Sequence, residues 1–274
     1  MLRTLTGYEH NQLAIYLHKI FDNLIGAEAV NACLQRYALG TTKDGKACYW
    51  QVDERGLIRS GKVIEYNPET GKRVHGTAFD ALWAHSLMKK EYPNFKLSQA
   101  YFGSHLIKEA ERLADENNQK RRELNIEGDF EPPIWLFESE KAAVIVALYL
   151  TWGGATSTFI PMATGGCDGF NPTPEKMRDP YNKLQVLKNR KIVLFPDEGK
   201  FEDWRIKGER LKGFCKEIYI STIMERSMHP IPVDAEIKEG DAFDDIILQF
   251  IQQGRIEEII NLPIYGYHGE WKIV

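Results

Sequence analysis

Residues 134–150, IWLFESEKAAVIVALYL, decide the fold because a strand pattern turns into a helix pattern within a few residues. The run IWLFE at 134–138 is short and bulky, as is typical of a buried strand. Residues 141–150 then carry the dense small and apolar side chains of a core helix, and Ser139 is a preferred helix N-cap. A strand that passes directly into a helix is the repeating unit of a parallel sheet.

The same alternation continues toward the C-terminus. Strand patterns are found at 157–163, 191–197 and 217–221, and helix patterns lie between them at 174–188 and 202–213. One more helix is expected to begin near Asp241 or Ala242, before an irregular end with a short strand or extended segment. The segment after residue 134 therefore predicts a parallel sheet with crossover helices.

The N-terminal part has a different rhythm. Residues 10–40 show helical spacing that predicts two short helices ending at Gly40, and residues 47–75 alternate as in a small antiparallel sheet. Residues 109–133 are rich in charge and read as a solvated helix followed by a loop. We expect an α/β chain: an α+β subdomain at 1–125, a parallel-sheet domain at 126–250 and a tail at 251–274.

Composition sets limits on function. The chain has 274 residues and a formal net charge of −4, so there is no global basic field, and contact with nucleic acid would use a local patch. The cysteines Cys33, Cys48, Cys167 and Cys215 show no zinc-ligand spacing, and no apolar run is long enough to span a membrane. We expect a reduced, cytoplasmic protein with no membrane partner.

Acidic residues follow the strands at the end of the sheet where ligands bind in such folds. Glu138 leaves the strand 134–138, and Asp197 with Glu198 leaves the strand 191–197. Carboxylates at neighbouring strand ends repel each other unless a cation lies between them, and oxygen ligands suit Mg²⁺ or Mn²⁺. We therefore predict a metal site at this edge. Further candidate ligands open the last helix: Asp241, Asp244 and Asp245.

Each of these features also has a purely structural interpretation. Acidic groups favour the first turn of a helix, and turns that follow strands are often acidic. The pair Gly165-Gly166 offers backbone N–H groups to a phosphate, but a tight turn after a strand explains it equally well. The order of the pieces along the chain favours a function for them.

That order resembles the Toprim domain of primases and topoisomerases. In this family a first strand ends in a glutamate, often within E-G-E-K, and a later strand ends in a metal-binding D-x-D. FESEKAAVI at 137–145 is similar to the first motif, and LFPDEG at 194–199 is similar to the second, with Asp197 as its first aspartate. The second aspartate falls on Gly199, which cannot bind a metal. Glu198 or Asp203 could substitute for it, but neither lies at the spacing of the family motif.

Over roughly residues 20–250 the chain also resembles a largely uncharacterised group of Toprim-like proteins from mobile elements of Bacteroides-type bacteria. Tyr37 to Gly40, Trp50 to Asp53, YNPETGKR at 66–73, ESEK at 138–141 and LFPD at 194–197 carry this resemblance. Members of the group often have a cysteine zinc module ahead of this region, whereas the four cysteines of this chain show no such pattern. A replication partner such as a helicase or a zinc-bearing protein is therefore expected.

The resemblance implies that the N-terminal subdomain helps to bind nucleic acid, with single-stranded DNA as the expected partner. The implied phosphate contacts are Arg55, Arg59, Lys62, Lys72 and Arg73. The sequence agrees in part, because several of these residues flank a strand or a hairpin turn near the aromatic residues Trp50 and Tyr66. A solvated strand face with a satisfied aromatic pair is the alternative.

The resemblance implies metal-dependent nucleotidyl transfer of the primase type. Asp197 binds Mg²⁺ or Mn²⁺ together with Glu198 or an aspartate of 241–245, Glu138 completes the site or acts as base, and Lys141 holds a phosphate or pairs with Glu138. Three alternatives stay open. They are phosphodiester cleavage at the same site, a catalytically decayed nucleic-acid-binding protein, and a module that binds small nucleotides through Gly165 and Gly166.

Overall fold

A computed structural model of the chain describes residues 1–76, 81–92, 94, 96–155, 159–166, 169–225, 235–260 and 270–272. The chain divides into two compact units, Met1–His105 and Leu106–Val274. This division places the helix at 107–123 in the second unit, whereas the boundary predicted from sequence lies after that helix. The predicted domain boundary at residue 125 stays a prediction. None of the described helices has the length and apolar character needed to cross a bilayer.

The first unit packs two helices against an antiparallel sheet. Its elements are α1 (Gln12–Ile25), α2 (Ala27–Arg36), β1 (Leu39–Thr41), β2 (Ala47–Val52), β3 (Ile58–Ile64), β4 (Leu82–Trp83) and α3 (Ala84–Glu91). The strands are arranged in the order β1-β2-β3-β4, and each neighbouring pair is antiparallel. The expected pair of helices and the expected antiparallel sheet are therefore present. The helices end earlier than predicted, because Gly40 lies within β1.

The side chain of Trp50 occupies the space that a side chain would need at two glycine positions of this sheet. It lies on β2 opposite Gly61 of β3, and its indole nitrogen donates a hydrogen bond of 2.9 Å to Thr4 Oγ1. A Cβ atom at Gly61 would lie 2.9 Å from the Trp50 ring, and one at Gly40 would lie 2.7 Å from its indole nitrogen. The ring therefore crosses both neighbouring strands where no side chain intervenes.

The second unit is built around a mixed sheet. Its elements are α4 (Ile107–Glu123), β5 (Ile134–Phe137), α5 (Glu140–Trp152), β6 (Ile160–Ala163), α6 (Pro174–Arg178), β7 (Lys191–Leu194), α7 (Phe201–Glu209), β8 (Glu217–Ser221), α8 (Phe243–Gln252), α9 (Ile256–Ile260) and β9 (Glu270–Lys272). The strand order is β6-β5-β7-β8-β9. The first four strands are parallel, and β9 pairs antiparallel with β8. The predicted α/β fold class is confirmed.

The helix α5 is the core of this unit. Every residue from Ala142 to Leu150 is buried, so the helix is covered on all sides rather than on one stripe. It packs against β5, β6 and α8. Its N-terminus is fixed because Ser139 Oγ accepts a hydrogen bond of 3.0 Å from the Ala142 N–H, as the sequence predicts. This cap sets the direction in which the chain leaves β5.

The predicted helix at 174–188 is wrong in its length. Helix α6 ends at Arg178, Asp179 has an extended ψ of 111°, and a separate 3-10 turn covers Lys183–Leu187. The break falls before Pro180, because a residue that precedes proline is disfavoured in the helical region. The expected helix near Ala242 is confirmed as α8, with Ala242 as its N-cap residue.

The loop between α4 and β5 depends on one buried amide. Asn118 Oδ1 accepts from the Phe130 N–H at 2.7 Å, and its Nδ2 donates to the Phe130 carbonyl at 2.8 Å. We expect Asn118→Ala to lower the free energy of unfolding by about 2 kcal/mol, because the part-buried N–H and carbonyl groups of Phe130 lose their partner. Urea denaturation measures this change. The exposed neighbour Asn117 is the control, and Asn117→Ala is expected to change stability by less than about 0.5 kcal/mol. Equal losses for the two variants would contradict the assignment.

Candidate active site

Two acidic residues leave neighbouring parallel strands at the same edge of the sheet. Strands β5 and β7 are paired in register, with Ile134 opposite Ile192 and Leu136 opposite Leu194. The Phe195 N–H donates to the Leu136 carbonyl at 3.0 Å, so the pairing extends beyond β7. Glu138 and Asp197 follow immediately, and their carboxylates lie close enough to interact electrostatically.

Asp197 has the most unusual environment of these residues. Burial, and after it the negative charges of Glu138, Asp244 and Asp245, raise the pKa of its carboxyl group to about 8, while the charge of Lys200 opposes them. These four carboxylates, Glu138, Asp197, Asp244 and Asp245, are called the acidic site below. Such crowding of negative charge is typical of sites that hold a proton or a cation.

Helix α8 contributes the other half of the acidic site. Asp244 is only 1% exposed, and burial raises its pKa to about 6, with Lys141 acting in the opposite direction. Lys141 Nζ lies 3.3 Å from Asp244 Oδ2 and 3.5 Å from Asp245 Oδ1. Asp245 also accepts a hydrogen bond of 3.0 Å from the Ala242 N–H and so caps the helix. The predicted candidate Lys141 therefore forms ion pairs with α8.

Glu198 and Asp241 are held in a neighbouring loop. The Glu198 N–H donates to the Asp241 carbonyl at 2.8 Å, while Asp241 Oδ2 accepts from the Lys238 N–H at 2.7 Å. Glu198 Oε2 is buried with no hydrogen-bond partner among the described residues, and the charge of Glu198 contributes, after burial, to a raised pKa of Glu225. The structure thus joins Glu198 and Asp241 to each other through the backbone. Neither of them is among the carboxylates that raise the pKa of Asp197.

Donor type and charge at the acidic site suit Mg²⁺ or Mn²⁺, which prefer carboxylate oxygens. Within the described ranges, however, no group of three or more His, Cys, Asp or Glu side chains is arranged to hold a metal ion. An ion at this edge would therefore draw the carboxylates of Asp197 and Glu138 closer to each other. The predicted ligands Glu138, Asp197, Glu198, Asp241 and Asp245 remain predictions.

The glycine turn after β6 supports Glu138 directly. The N–H groups of Gly165 and Gly166 donate to the Glu138 carbonyl at 3.2 and 3.1 Å. Thr164 Oγ1 lies 3.2 Å from the same carbonyl. Because these N–H groups are occupied, a phosphate would have to displace the Glu138 carbonyl to reach them. The turn fixes the backbone from which the Glu138 side chain projects, and this arrangement gives the glycines a structural role.

The basic residues predicted to contact nucleic acid have different environments in the first unit. Lys62 is buried, 9% exposed, and its Nζ lies 5.6 Å from the centre of the Trp83 ring. Arg59 forms an ion pair of 2.6 Å with Asp53. Tyr66 is also buried and receives a hydrogen bond of 2.9 Å from Tyr49, so it offers no stacking face. The predicted patch beside Tyr66 is therefore not one continuous exposed surface.

The other three basic candidates are more accessible. Arg55 and Lys72 are exposed, whereas Arg73 is half-buried and pairs through its backbone with Tyr66. Their contact with phosphate remains a prediction. Among cysteines, Cys33, Cys48 and Cys215 are buried free thiols, and Cys167 lies outside the described residues.

The sequence pattern alone does not distinguish Asp244 from Asp241 and Asp245. All three acids lie at the start of a helix, but Asp244 is the one that is buried. A signal was present, because Asp244 lies three and four residues before Ile247 and Leu248, which belong to the buried face of α8. An acid on the apolar stripe of a helix needs a buried partner, and Lys141 supplies it.

The site and sheet define the class of protein as an α/β chain with clustered carboxylates at the carboxyl edge of its parallel strands. A family model described as "Domain of unknown function (DUF6371)" matches residues 11–115. No curated protein matches the chain.

Similar solved structures are catalytic or RNA polymerase domains of primases. The RNA polymerase domain of Mycobacterium tuberculosis primase DnaG, solved with a double-stranded DNA oligomer with a 6-nucleotide overhang, gives a TM-score of 0.45 and 9% identity over 95% of this chain and 77% of that chain. The E. coli primase catalytic core gives a TM-score of 0.38 and 14% identity over 92% of this chain and 64% of that chain. A DNA primase domain from Pseudomonas aeruginosa gives a TM-score of 0.39 and 14% identity over 89% of this chain and 60% of that chain.

Proposed function

We propose that the chain is a Toprim-like protein that carries out metal-dependent nucleotidyl transfer on nucleic acid. The observation that carries this proposal is the position of Asp197. It lies at the carboxyl edge of the parallel strands beside Glu138, and burial together with three neighbouring carboxylates raises its pKa to about 8. A fold gains nothing in stability from such crowding, so a bound cation is the simplest reason for it.

The residues divide into two roles. Asp197 and Glu138 would hold Mg²⁺ or Mn²⁺, which when bound would orient nucleotide phosphates and neutralise their charge. Lys141 and Asp244 position α8, so that Asp245 stays beside the site. Glu138 is the candidate base if its carboxylate is free of the ion, because it leaves the strand next to Asp197. Its backbone is fixed by the glycine turn.

The identity of the substrate is a further part of the proposal. The motifs FESEK and LFPD support a member of the Toprim-like group of mobile elements, with single-stranded DNA and nucleotides as substrates. A helicase or a zinc-bearing protein would then be its replication partner. Incubation with Mn²⁺, nucleoside triphosphates and an unpaired oligonucleotide should yield short extended products in the wild type and none in Asp197→Asn. Loss of full-length oligonucleotide without extension would instead identify phosphodiester cleavage.

A second function is favoured by one specific residue. Gly199 stands where the D-x-D motif has its second aspartate, and its φ of +79° suits glycine rather than a metal-binding side chain. A chain with this substitution would bind nucleic acid without catalysis. The two functions differ in one measurement, because the binding protein would retain its affinity for oligonucleotides but bind no Mn²⁺.

The pKa of Asp197 gives the metal site a defined pH dependence. A carboxyl group must lose its proton before it binds a metal, so protons compete with the ion below the pKa. We expect the affinity for Mn²⁺ to fall about tenfold for each pH unit below about 8. Titrations between pH 6 and pH 9 measure this slope. An affinity that is constant across this range would contradict a role for Asp197 as ligand.

A further inference from the structure

The segment that follows β6 has an unusual charge balance. Residues 169–188 contain four basic side chains, at Lys176, Arg178, Lys183 and Lys188, and only two acidic ones, at Glu175 and Asp179, in a chain whose net charge is −4. Arg210, at the end of α7, adds another positive charge, because its Nη1 donates to Asn171 Oδ1 at 3.4 Å.

Both acids of this segment are used by the local backbone. The pKa of Glu175 is lowered first by its own backbone N–H and then by the Thr173 hydroxyl at the start of α6, with a smaller contribution from Arg178. Asp179 Oδ1 accepts a hydrogen bond of 2.9 Å from the Tyr181 N–H. Neither acid forms an ion pair of the kind that would neutralise the neighbouring cations within the part of the chain that the structure describes.

The cations, in contrast, contact neutral acceptors. Lys176 Nζ donates to the Asn171 carbonyl at 3.2 Å, and Arg178 Nε donates to the Pro174 carbonyl at 3.2 Å. Lys176, Arg178 and Arg210 are all exposed. Two of them contact the same residue, Asn171, so they lie side by side. Their other donors face solvent and are available to an anionic partner.

An exposed aromatic side chain lies in the same segment, three residues after Arg178. Tyr181 is 82% exposed, the highest exposure among the large apolar residues that the structure describes. Its backbone is nevertheless fixed, because Pro180 precedes it and Gln185 Nε2 donates to the carbonyls of Met177 and Asp179 at 2.7 and 2.9 Å. Because the backbone is already fixed, only the rotamers of the Tyr181 side chain have to be ordered on binding, which lowers the entropy cost.

The segment that carries these side chains is attached at the edge of the sheet where the acidic site lies. Lys183 Nζ donates to the Thr164 carbonyl at 3.3 Å, and Thr164 Oγ1 in turn contacts the Glu138 carbonyl. The segment is thereby tied to the exit of β5 through two hydrogen bonds.

We propose that Lys176, Arg178, Tyr181 and Arg210, together called the Tyr181 surface, bind unpaired nucleic acid and lead it toward the acidic site. The cations contact backbone phosphates, and the Tyr181 ring stacks on a base. Only an unpaired strand offers a base face for stacking, which distinguishes this partner from a duplex. The proposal rests on the proposed function, since it supplies that site with its nucleic-acid strand.

The test measures fluorescence anisotropy of a labelled, unpaired oligonucleotide of roughly 15 nucleotides in EDTA, so that binding does not depend on metal. We expect Tyr181→Ala to weaken binding about tenfold. The triple variant Lys176→Ala, Arg178→Ala, Arg210→Ala should flatten the slope of log affinity against log salt by about 2. The exposed residues Tyr92 and Lys120 give matched controls, and Tyr92→Ala and Lys120→Ala should bind as the wild type does.

Several outcomes would overturn the proposal: no binding by the wild type, no effect of Tyr181→Ala, or equal affinity for a duplex of the same sequence. Failure of the proposed catalysis is measured separately. If the wild type binds no Mn²⁺ but Tyr181→Ala still loses affinity for the oligonucleotide, the Tyr181 surface stands and the metal-dependent reaction falls. If Asp197→Asn loses metal and activity while its affinity in EDTA is unchanged, both proposals are supported.

Discussion

Asp197→Asn is expected to stabilise the metal-free protein at alkaline pH. The pKa of Asp197 is raised to about 8 in the folded chain from an ordinary value of 3.8, so the folded state binds the proton more tightly than the unfolded state. The contribution of this group is fully present below about pH 4 and is lost as the pH rises through about 8. An asparagine does not titrate, so the variant should be more stable than the wild type by about 3 kcal/mol at pH 8.5, after discounting for partial solvent access.

Urea denaturation in EDTA at pH 4.5, 6.5 and 8.5 measures this difference, which should grow with each step. Asp203→Asn is the matched control, because Asp203 is an exposed acid on α7 that pairs with Lys207 at 2.7 Å. Its free energy of unfolding should change by less than about 1 kcal/mol at every pH. If Asp197→Asn is instead less stable than the wild type at pH 8.5, the carboxylate supports the fold and the crowding of negative charge does not destabilise it.

Lys141→Met is expected to destabilise the protein strongly and in a pH-dependent way. Lys141 is the cation beside Asp244, a residue that is only 1% exposed. Removal of the lysine therefore leaves a buried carboxylate without its counter-charge. We expect a loss of about 3 kcal/mol at pH 8. The loss should shrink at pH 5, because the pKa of Asp244, already raised to about 6, rises further and the group becomes neutral.

A second substitution tests the cause of that loss. In the double variant Lys141→Met, Asp244→Asn no buried charge remains, so about half of the lost stability should return at pH 8. Lys207→Met removes a comparable lysine whose partner is exposed, and it should cost less than about 1 kcal/mol. A loss from Lys141→Met that is equal at pH 5 and pH 8 would show that packing, rather than charge, is what Lys141 provides.

The sequence predicts the second unit well because its signals are local. A buried strand followed by a capped helix needs only neighbouring residues to be recognised, and Ser139 caps α5 as expected. The strand exits Glu138 and Asp197 follow from the same pattern, since parallel strands place their carboxyl ends at one edge. Local sequence patterns are therefore sufficient to predict the fold class and to bring Glu138 and Asp197 together as candidate site residues.

The rest depends on contacts between distant parts of the chain. The pairing of Lys141 with Asp244 joins residues from two helices that are far apart in sequence, and no local spacing indicates it. Burial of Lys62 follows from strand pairing with Trp83, which places the lysine opposite an aromatic ring. In these two cases tertiary packing decides what the local pattern leaves open. Tyr181 differs, because the predicted helix at 174–188 overlooks a local signal, Pro180, which interrupts it.

The most direct test of the metal site is calorimetric titration of Mn²⁺ at pH 8 into the wild type, Glu138→Gln and Asp197→Asn. Asp129→Asn is the control, because Asp129 is an exposed acid that pairs with Arg122 at 2.8 Å. We expect one binding event in the wild type and in Asp129→Asn, and at least tenfold weaker binding in the other two variants. Absence of binding in the wild type, or unchanged binding in Glu138→Gln and Asp197→Asn, would contradict a metal-dependent activity at the acidic site.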